Sequence, residues 1–307
     1  MPRLLLWLTL ATMAATSALG QTGAIEPSGN GAQSTASLPN FAGIWAHPFF
    51  PGFEPPPSGP GPVRNRSRAA NGVSDAYQFV GDYTNPILKP EAAEVVKAHG
   101  EISLTGKVYP TPSNQCWPGG VPFVFWDFLM QMAQEPDQIT MIYRQGNEIR
   151  HVRMNQSHPA RVTPSWYGDS VGHYEGDTLV IDTVGIKKGP FAMLDMFGTP
   201  FSEKLHVIER YRFVDYADVK DAVERNMKEN TFFGPGSGGA VFDPNHRGKM
   251  LQLQFTVEDE GVFTSPWSAT ITYFPQLVEW TEIICSENKR GYAETDVALP
   301  QANKPDF

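Results

Sequence analysis

Two carboxylates in the second half of the sequence have the neighbours expected of acid–base residues. Glu209 lies in an alternating stretch, 204–214, on the same face as apolar Leu205. If that face is interior, the surroundings disfavour the ionised carboxylate and suit the group to proton transfer near neutral pH. Asp182 also shares a strand face with apolar residues. Two inward-facing carboxylates in one fold can divide the acid and base roles between them.

Further polar and aromatic residues extend this candidate site. Two more catalytic candidates and three candidates for substrate binding complete it: His158, His206, Trp166, Arg210 and Trp126. His206 faces away from Glu209 on a strand, so Glu209 with Asp182 ranks above Glu209 with His206 unless a bulge or the rim of a barrel brings both faces to one opening. Alternatively, the assignment of faces is reversed, or Glu209 is structural and pairs with Arg144, Arg153 or Arg212.

Two motifs suggest other chemistry. His173 and Glu175 share a strand face and can supply two metal ligands, but no motif marks a third, so we predict no metal and no other cofactor. The segment from Gly168 to Gly172 matches the nucleophile elbow of serine hydrolases. A hairpin rather than a helix follows it, which favours a polar or capping role for Ser170.

Aromatic residues are concentrated directly after Cys116. The cluster contains Trp117, Phe123, Phe125, Trp126 and Phe128. Such clusters usually belong to a hydrophobic core. If these side chains line an opening instead, they suit a flat apolar or aromatic molecule or the face of a sugar.

The elements that must position these residues are mainly strands. From Gln138 onward, alternating stretches are separated by short turn sequences such as Gln145-Gly146-Asn147 and Gly176-Asp177. Many antiparallel strands with short connections favour a closed barrel, because closure removes unpaired edges. We therefore predict a mainly β fold, with an antiparallel meander β-barrel of lipocalin-like type over 138–290 and its last strand over 277–285.

The rest of the chain is predicted to be less regular. Residues 41–137 form an irregular, partly helical segment packed on the barrel, with a helix over 88–100 that has Pro90 near its start. A second stretch, 215–226, has a thin apolar face and is the other helix candidate. Residues 291–307 are predicted to be a tail.

The amino terminus predicts export. Arg3 precedes an apolar run, and small residues at Ala18 and Gly20 resemble a secretory cleavage site. Residues 1–20 are thus a predicted signal peptide, with an uncleaved anchor as the alternative, and 21–40 a predicted flexible leader. No later segment is apolar enough to span a membrane. We expect a periplasmic or secreted protein.

Cysteine content and charge agree with that compartment. In an oxidising space, Cys116 and Cys285 are expected to form a disulfide rather than two free thiols, with their Cα atoms within about 7 Å. The formal net charge is −9. An acidic chain repels nucleic acid, so a small molecule is the expected partner.

Two segments also resemble known proteins. The runs WYGDSVGHYEGDTLVIDT at 166–183 and FSEKLHVIERY at 201–211 resemble a family of secreted bacterial proteins of uncharacterised function. Residues 41–45 and 282–285 show a weaker resemblance to the same family. The pair Gly43-x-Trp45 resembles the start of lipocalin-like barrels. The family resemblance implies export but carries no activity to this chain.

These observations lead to three functional hypotheses. The first is an exported enzyme that performs acid–base chemistry of lyase, isomerase or hydrolase type on a hydrophobic or aromatic compound in a barrel cavity. The second is a lipocalin-like carrier for a hydrophobic small molecule. The third is a structural or carbohydrate-binding module. A polar cavity would favour the enzyme, an apolar cavity the carrier and a filled core the module.

Overall fold

The fold is a closed β-barrel of nine strands that follow one another in sequence order. The computed structural model describes residues 38–48, 52–75, 77–229, 242–277 and 284–285. The strands are β1 (Gly43–Ala46), β2 (Leu129–Gln134), β3 (Gln138–Tyr143), β4 (Glu148–Met154), β5 (Asp169–Glu175), β6 (Thr178–Val184), β7 (His206–Asp215), β8 (Lys249–Glu258) and β9 (Trp267–Pro275). The prediction of a mainly β fold built on a meander barrel is confirmed.

One contact between neighbouring strands departs from the antiparallel pattern. β4 and β5 pair in parallel, with Arg153 opposite Val171 and Met154 opposite Gly172. The connection 155–168 returns to the end of the barrel where β4 began, so both strands run in one direction. His158 and Trp166 belong to this connection. They therefore lie near the rim of the barrel at which β5 begins.

Tight hairpins set the register on both sides of this connection. Glu175 pairs with Thr178, which leaves Gly176 and Asp177 as a two-residue loop. Gly176 has φ 63°, as the first central position of a type II′ turn requires. A turn residue suited to the bend thus joins the two strands, and the predicted hairpin is confirmed.

The two helices lie close to their predicted positions. α1 spans Pro90–Leu104, with Pro90 at its start and Ala92 and Val96 buried. α2 spans Tyr216–Glu229 and buries Tyr216, Val219 and Val223. Short 3-10 helices at Ser113–Gln115 and Phe123–Trp126 precede β2.

The barrel begins earlier in the chain than predicted. β1 and β2 come from the segment that we expected only to pack on the barrel, and β1 closes the circle by pairing with β2 and β9. The predicted signal peptide, most of the leader, the tail and most of the strand expected over 277–285 lie outside the described residues. Within the described part of the chain, no helix is long and apolar enough to cross a membrane.

Side chains fill the interior of the barrel. Alternate residues of the strands face inward, and the largest of them that are fully buried include Trp267, Tyr143, Tyr211, Tyr273 and Phe255. Phe255 contacts Trp267 at a centroid distance of 6.0 Å and Phe125 at 5.2 Å. Aromatic edge-to-face packing thus occupies the space where a lipocalin-like carrier would hold its ligand.

The predicted disulfide is present. Cys116 and Cys285 are bonded, with their Cα atoms 5.5 Å apart. The bond joins the segment before β2 to a residue far beyond β9. It therefore fixes a distant part of the chain against one end of the barrel.

Candidate functional site

Glu209 faces the barrel interior, as its alternation predicts, and is fully buried there in an ion pair. Its Oε2 accepts a hydrogen bond from Nη1 of Arg150 at 2.9 Å, and its Oε1 accepts one from Nη2 at 2.6 Å. The Tyr211 hydroxyl donates to Oε2 at 3.1 Å. The partner is thus Arg150 of β4 and none of the three arginines that we had considered.

The guanidinium of Arg150 also bonds two hydroxyl groups of the neighbouring strands. It donates to Oγ of Ser170 at 3.1 Å and to Oγ1 of Thr183 at 2.6 Å. Burial would lower the pKa of Arg150, but the adjacent Glu209 carboxylate raises it, so the guanidinium stays charged. These contacts give Ser170 a polar structural role and leave Glu209 enclosed by protein donors.

Three of the four catalytic candidates meet instead on the outer face of the barrel. Oδ1 of Asp182 lies 2.9 Å from Nε2 of His158 and 3.0 Å from Nε2 of His206. Nδ1 of His158 lies 2.6 Å from Oδ1 of Asp169, and Nδ1 of His206 lies 3.2 Å from Oε2 of Glu258. We call these five residues the imidazole–carboxylate chain. Asp182 and Glu209 therefore lie on opposite sides of the barrel wall.

The hydrogen bonds of this chain require protonated imidazoles. A carboxylate only accepts hydrogen bonds, so a histidine that contacts carboxylates through both ring nitrogens must donate from both. The hydrogen bond to Asp182 raises the pKa of His206, and partial burial opposes this shift only in part. Partial burial would raise the pKa of Asp182, but hydrogen bonds from His206 and His158 hold it below its ordinary value. His206 is therefore protonated and Asp182 ionised at mildly acidic pH.

A groove opens at the end of the barrel where β2 and β4 begin. It has a volume of about 380 Å³. We call it the rim groove, and its lining consists of Ser113, Cys116, Trp117, Pro118, Gln145, Gly146, Glu148, Tyr167, Ile284 and Cys285. A volume of this size, with aromatic walls and few polar groups, suits one small organic molecule.

Glu148 is the carboxyl group of the rim groove. As the first residue of β4 it shares the inward face with Arg150, at the rim. Its Oε1 accepts the backbone N–H of Gly119 at 3.0 Å. Burial raises the pKa of Glu148, although hydrogen bonds from Tyr167 and Gly119 lower it. Burial also raises the pKa of Tyr167, so its hydroxyl stays protonated and can donate to Glu148.

Of the three substrate-binding candidates, Trp166 and Trp126 lie near the rim groove and Arg210 lies far from it. Trp166 contacts Trp117, with ring centroids 5.4 Å apart, and the Lys187 ammonium lies 4.7 Å from the Trp166 ring. Trp126 lines an inner hollow of about 20 Å³ that shares Glu148 with the rim groove. Arg210 pairs with Glu175 at 2.7 Å, beside the β5–β6 hairpin at the opposite end of the barrel.

The sequence alone did not single out Glu148. A carboxylate placed directly after a glycine hairpin, two residues before an inward-facing arginine, is the pattern that could have revealed it. Among the residues that the structure describes, no three His, Cys, Asp or Glu side chains are arranged to hold a metal ion. His173 and Glu175, the two possible ligands, lie 3.2 Å apart on the surface.

Comparison with known proteins gives no assignment of family or activity. No protein-family model, no curated protein and no solved structure matches the chain. The likeness of residues 166–183 and 201–211 to secreted bacterial proteins thus stays a prediction.

Proposed function

We propose that this protein is an exported small-molecule enzyme that performs acid–base chemistry on a flat apolar or aromatic compound in the rim groove. The observation that carries the proposal is the position of Glu148, a partly buried carboxyl group that lines the groove beside Trp117 and Tyr167. The disulfide between Cys116 and Cys285 supports export, because such bonds persist in oxidising compartments.

The rim groove suits this role better than the barrel interior does. Glu209 is 0% exposed and Arg150 1% exposed, so neither reaches a ligand without opening the barrel. The packed aromatic interior leaves the predicted barrel cavity without support. Glu148 shares the inward face with this pair but lies at the rim, where a ligand can reach it.

The surroundings of Glu148 suit proton transfer. Desolvation disfavours its carboxylate and makes it a stronger base than an exposed glutamate, while the Gly119 N–H at 3.0 Å fixes its orientation. The Tyr167 hydroxyl keeps its proton and can donate to an oxygen atom that becomes negative during the reaction. Removal and return of a proton, as in lyases and isomerases, fits this set of groups.

The imidazole–carboxylate chain has a positioning role in this proposal. Asp169 follows Tyr167 by two residues and is held by His158 at 2.6 Å and by Arg153 at 2.7 Å. His158 is also bound to Asp182 of β6. These contacts fasten both ends of the segment from His158 to Asp169 to the outer barrel wall and so limit the movement of Tyr167 in the groove.

The test begins with mass spectrometry of the compound that co-purifies with the full chain, followed by assays of its conversion. Glu148→Gln is expected to lower turnover by a factor of about 100 or more while binding changes little, because the amide has the same shape but cannot take up the proton. Glu175→Gln removes an exposed carboxylate at the opposite end and is the control. Turnover by Glu148→Gln at the wild-type rate would contradict the proposal.

A carrier is the second candidate, and the largely apolar lining of the groove favours it. Trp117, Pro118 and Ile284 offer contact area without chemistry. A carrier would bind the compound and release it unchanged. The same assays separate the two functions, because only the enzyme yields a product that depends on Glu148.

A further inference from the structure

We propose that Asp127 and Glu148 act as one coupled pair across the inner hollow that both line, in which Asp127 holds the proton of the pair and positions the Glu148 carboxylate for its reaction. This inference rests on the proposed function, because it assigns the residue behind the group that faces the ligand. Asp127 is a positioning residue here, since it acts through Glu148 and does not line the rim groove.

The inner hollow connects the two carboxyl groups. It has a volume of about 20 Å³ and is lined by both Asp127 and Glu148. Ser113, Gln145 and Glu148 line the inner hollow and the rim groove alike. A space of this size has room for one water molecule, which can hydrogen-bond to both carboxyl groups. Glu148 thus faces the ligand on one side and the space before Asp127 on the other.

Backbone donors fix the side chain of Asp127. Its Oδ2 accepts the N–H of Gln145 at 2.5 Å, and its Oδ1 accepts the N–H of Leu129 at 3.4 Å. The residue lies at the end of a 3-10 helix, two positions before β2, and is 8% exposed. It is therefore held between the start of β2 and the β3–β4 hairpin that places Glu148.

Several groups around Asp127 act on its pKa, and burial is the largest of these influences. Burial raises the pKa of Asp127 to about 7, the two backbone donors lower it, the charge of Glu148 raises it, and Arg144 lowers it. His47, whose Nε2 lies 3.0 Å from the backbone oxygen of Asp127, has a pKa lowered to about 4 by burial, although its hydrogen bonds to backbone oxygens oppose this shift. Burial likewise raises the pKa of Tyr273, which stays neutral.

Burial and the nearby charge give the two carboxyl groups different roles. Two nearby carboxylates in one buried site resist ionising together, so the pair holds one proton over a range of pH where exposed carboxylates hold none. That proton stays on Asp127, and the Glu148 carboxylate accepts the proton of the substrate. The O–H of Asp127 can donate to Glu148 through a water molecule. Above neutral pH, Asp127 loses its proton and this support ends.

The first test follows the carboxyl groups directly. In the full chain labelled with ¹³C at aspartate and glutamate carboxyls, NMR is expected to show Asp127 titrating near pH 7 in the wild type. In Glu148→Gln, its midpoint is expected to fall by about half a pH unit or more, because the neighbouring charge is gone. A midpoint for Asp127 below pH 5, or one that Glu148→Gln leaves unchanged, would overturn the inference.

The second test reads the groove with N-phenyl-1-naphthylamine, a neutral aromatic probe whose fluorescence rises on binding. The wild type is expected to bind the probe several-fold more weakly at pH 8 than at pH 6, since two charges then border the site. Asp127→Asn is expected to remove this pH dependence, and Glu175→Gln to retain it. A purely structural Asp127 would change the affinity equally at both pH values, which would refute the inference.

The outcomes distinguish this inference from the proposed function. Loss of turnover in Glu148→Gln together with an Asp127 titration that Glu148→Gln does not move would sustain the enzyme and reject the coupled pair. Full turnover in Glu148→Gln together with a shifted Asp127 midpoint would reject the catalytic role of Glu148 while showing that the two groups are coupled.

Discussion

At the scale of single residues, the buried pair Arg150–Glu209 connects two strands that are not neighbours. Between β4 and β7 stand β5 and β6, which contribute Ser170 and Thr183 to the same network. Desolvation of two charges is costly, and it is offset here only because each polar atom of the pair has a partner. Such a network is therefore sensitive to the loss of one member.

We expect Arg150→Met to lower the free energy of unfolding by about 3–5 kcal/mol, because Glu209 loses its ion-pair partner inside the barrel. Urea-induced unfolding measured by circular dichroism checks this value. In the double variant Arg150→Met, Glu209→Leu, most of the loss should be recovered, since no buried charge remains. Equal losses in the single and double variants would show that packing, and not the ion pair, accounts for the effect.

At the scale of elements, the imidazole–carboxylate chain joins the connection 155–168 to the ends of three strands. His206 begins β7, Glu258 ends β8, and Asp169 begins β5. Because His206 donates through both nitrogens, its contacts with Asp182 and Glu258 require the protonated imidazole. The junction between these strands therefore depends on pH.

This chain predicts a specific pH dependence of stability. The pKa of His206 is raised above its ordinary value of 6.5, so the folded chain binds this proton more tightly than the unfolded chain does. The stabilisation is fully present below pH 6.5 and is lost as the pH rises through the raised value. We expect the wild type to lose more stability than His206→Gln between pH 6 and pH 8, as measured by urea unfolding. His173→Gln, at the exposed end of β5, is the control and should behave as the wild type does.

If the wild type and His206→Gln lose the same stability between pH 6 and pH 8, the role of the chain is contradicted. Asp182 adds the opposite dependence in acid. Its pKa is lowered, so its stabilisation is present above its ordinary value of 3.8 and is lost as the pH falls through the lowered one. The chain thus contributes most at mildly acidic pH.

Local sequence patterns predicted most of the strands and helices. The features that these patterns did not predict depend on contacts between distant elements. Alternation over 204–214 identified the inward face of β7, and Gly176-Asp177 identified the β5–β6 turn. β1 is only four residues long and too short to show a period, so it escaped notice. The partner of Glu209 depends on the barrel register that brings Arg150 of β4 inward, which no local pattern encodes. For the same reason, Asp182 and Glu209 were expected together but lie on opposite faces.

At the scale of the whole molecule, one end of the barrel carries the features on which the proposal rests. The rim groove, the inner hollow and the imidazole–carboxylate chain all lie where β2, β4 and β5 begin. The disulfide also borders this end, and in the chain-entropy model a bond that closes a loop of 169 residues stabilises the fold by about 5 kcal/mol. The filled barrel supports this end, where we propose that the chemistry takes place.

The most direct test of this assignment is the incorporation of solvent deuterium into the compound that binds in the rim groove. In D₂O, the wild type should exchange a carbon-bound proton of that compound, and Glu148→Gln should slow the exchange by a factor of about 100 or more while Glu175→Gln does not. NMR or mass spectrometry of the recovered compound measures the exchange. Binding without any exchange in the wild type, or equal exchange in Glu148→Gln, would contradict proton transfer by Glu148.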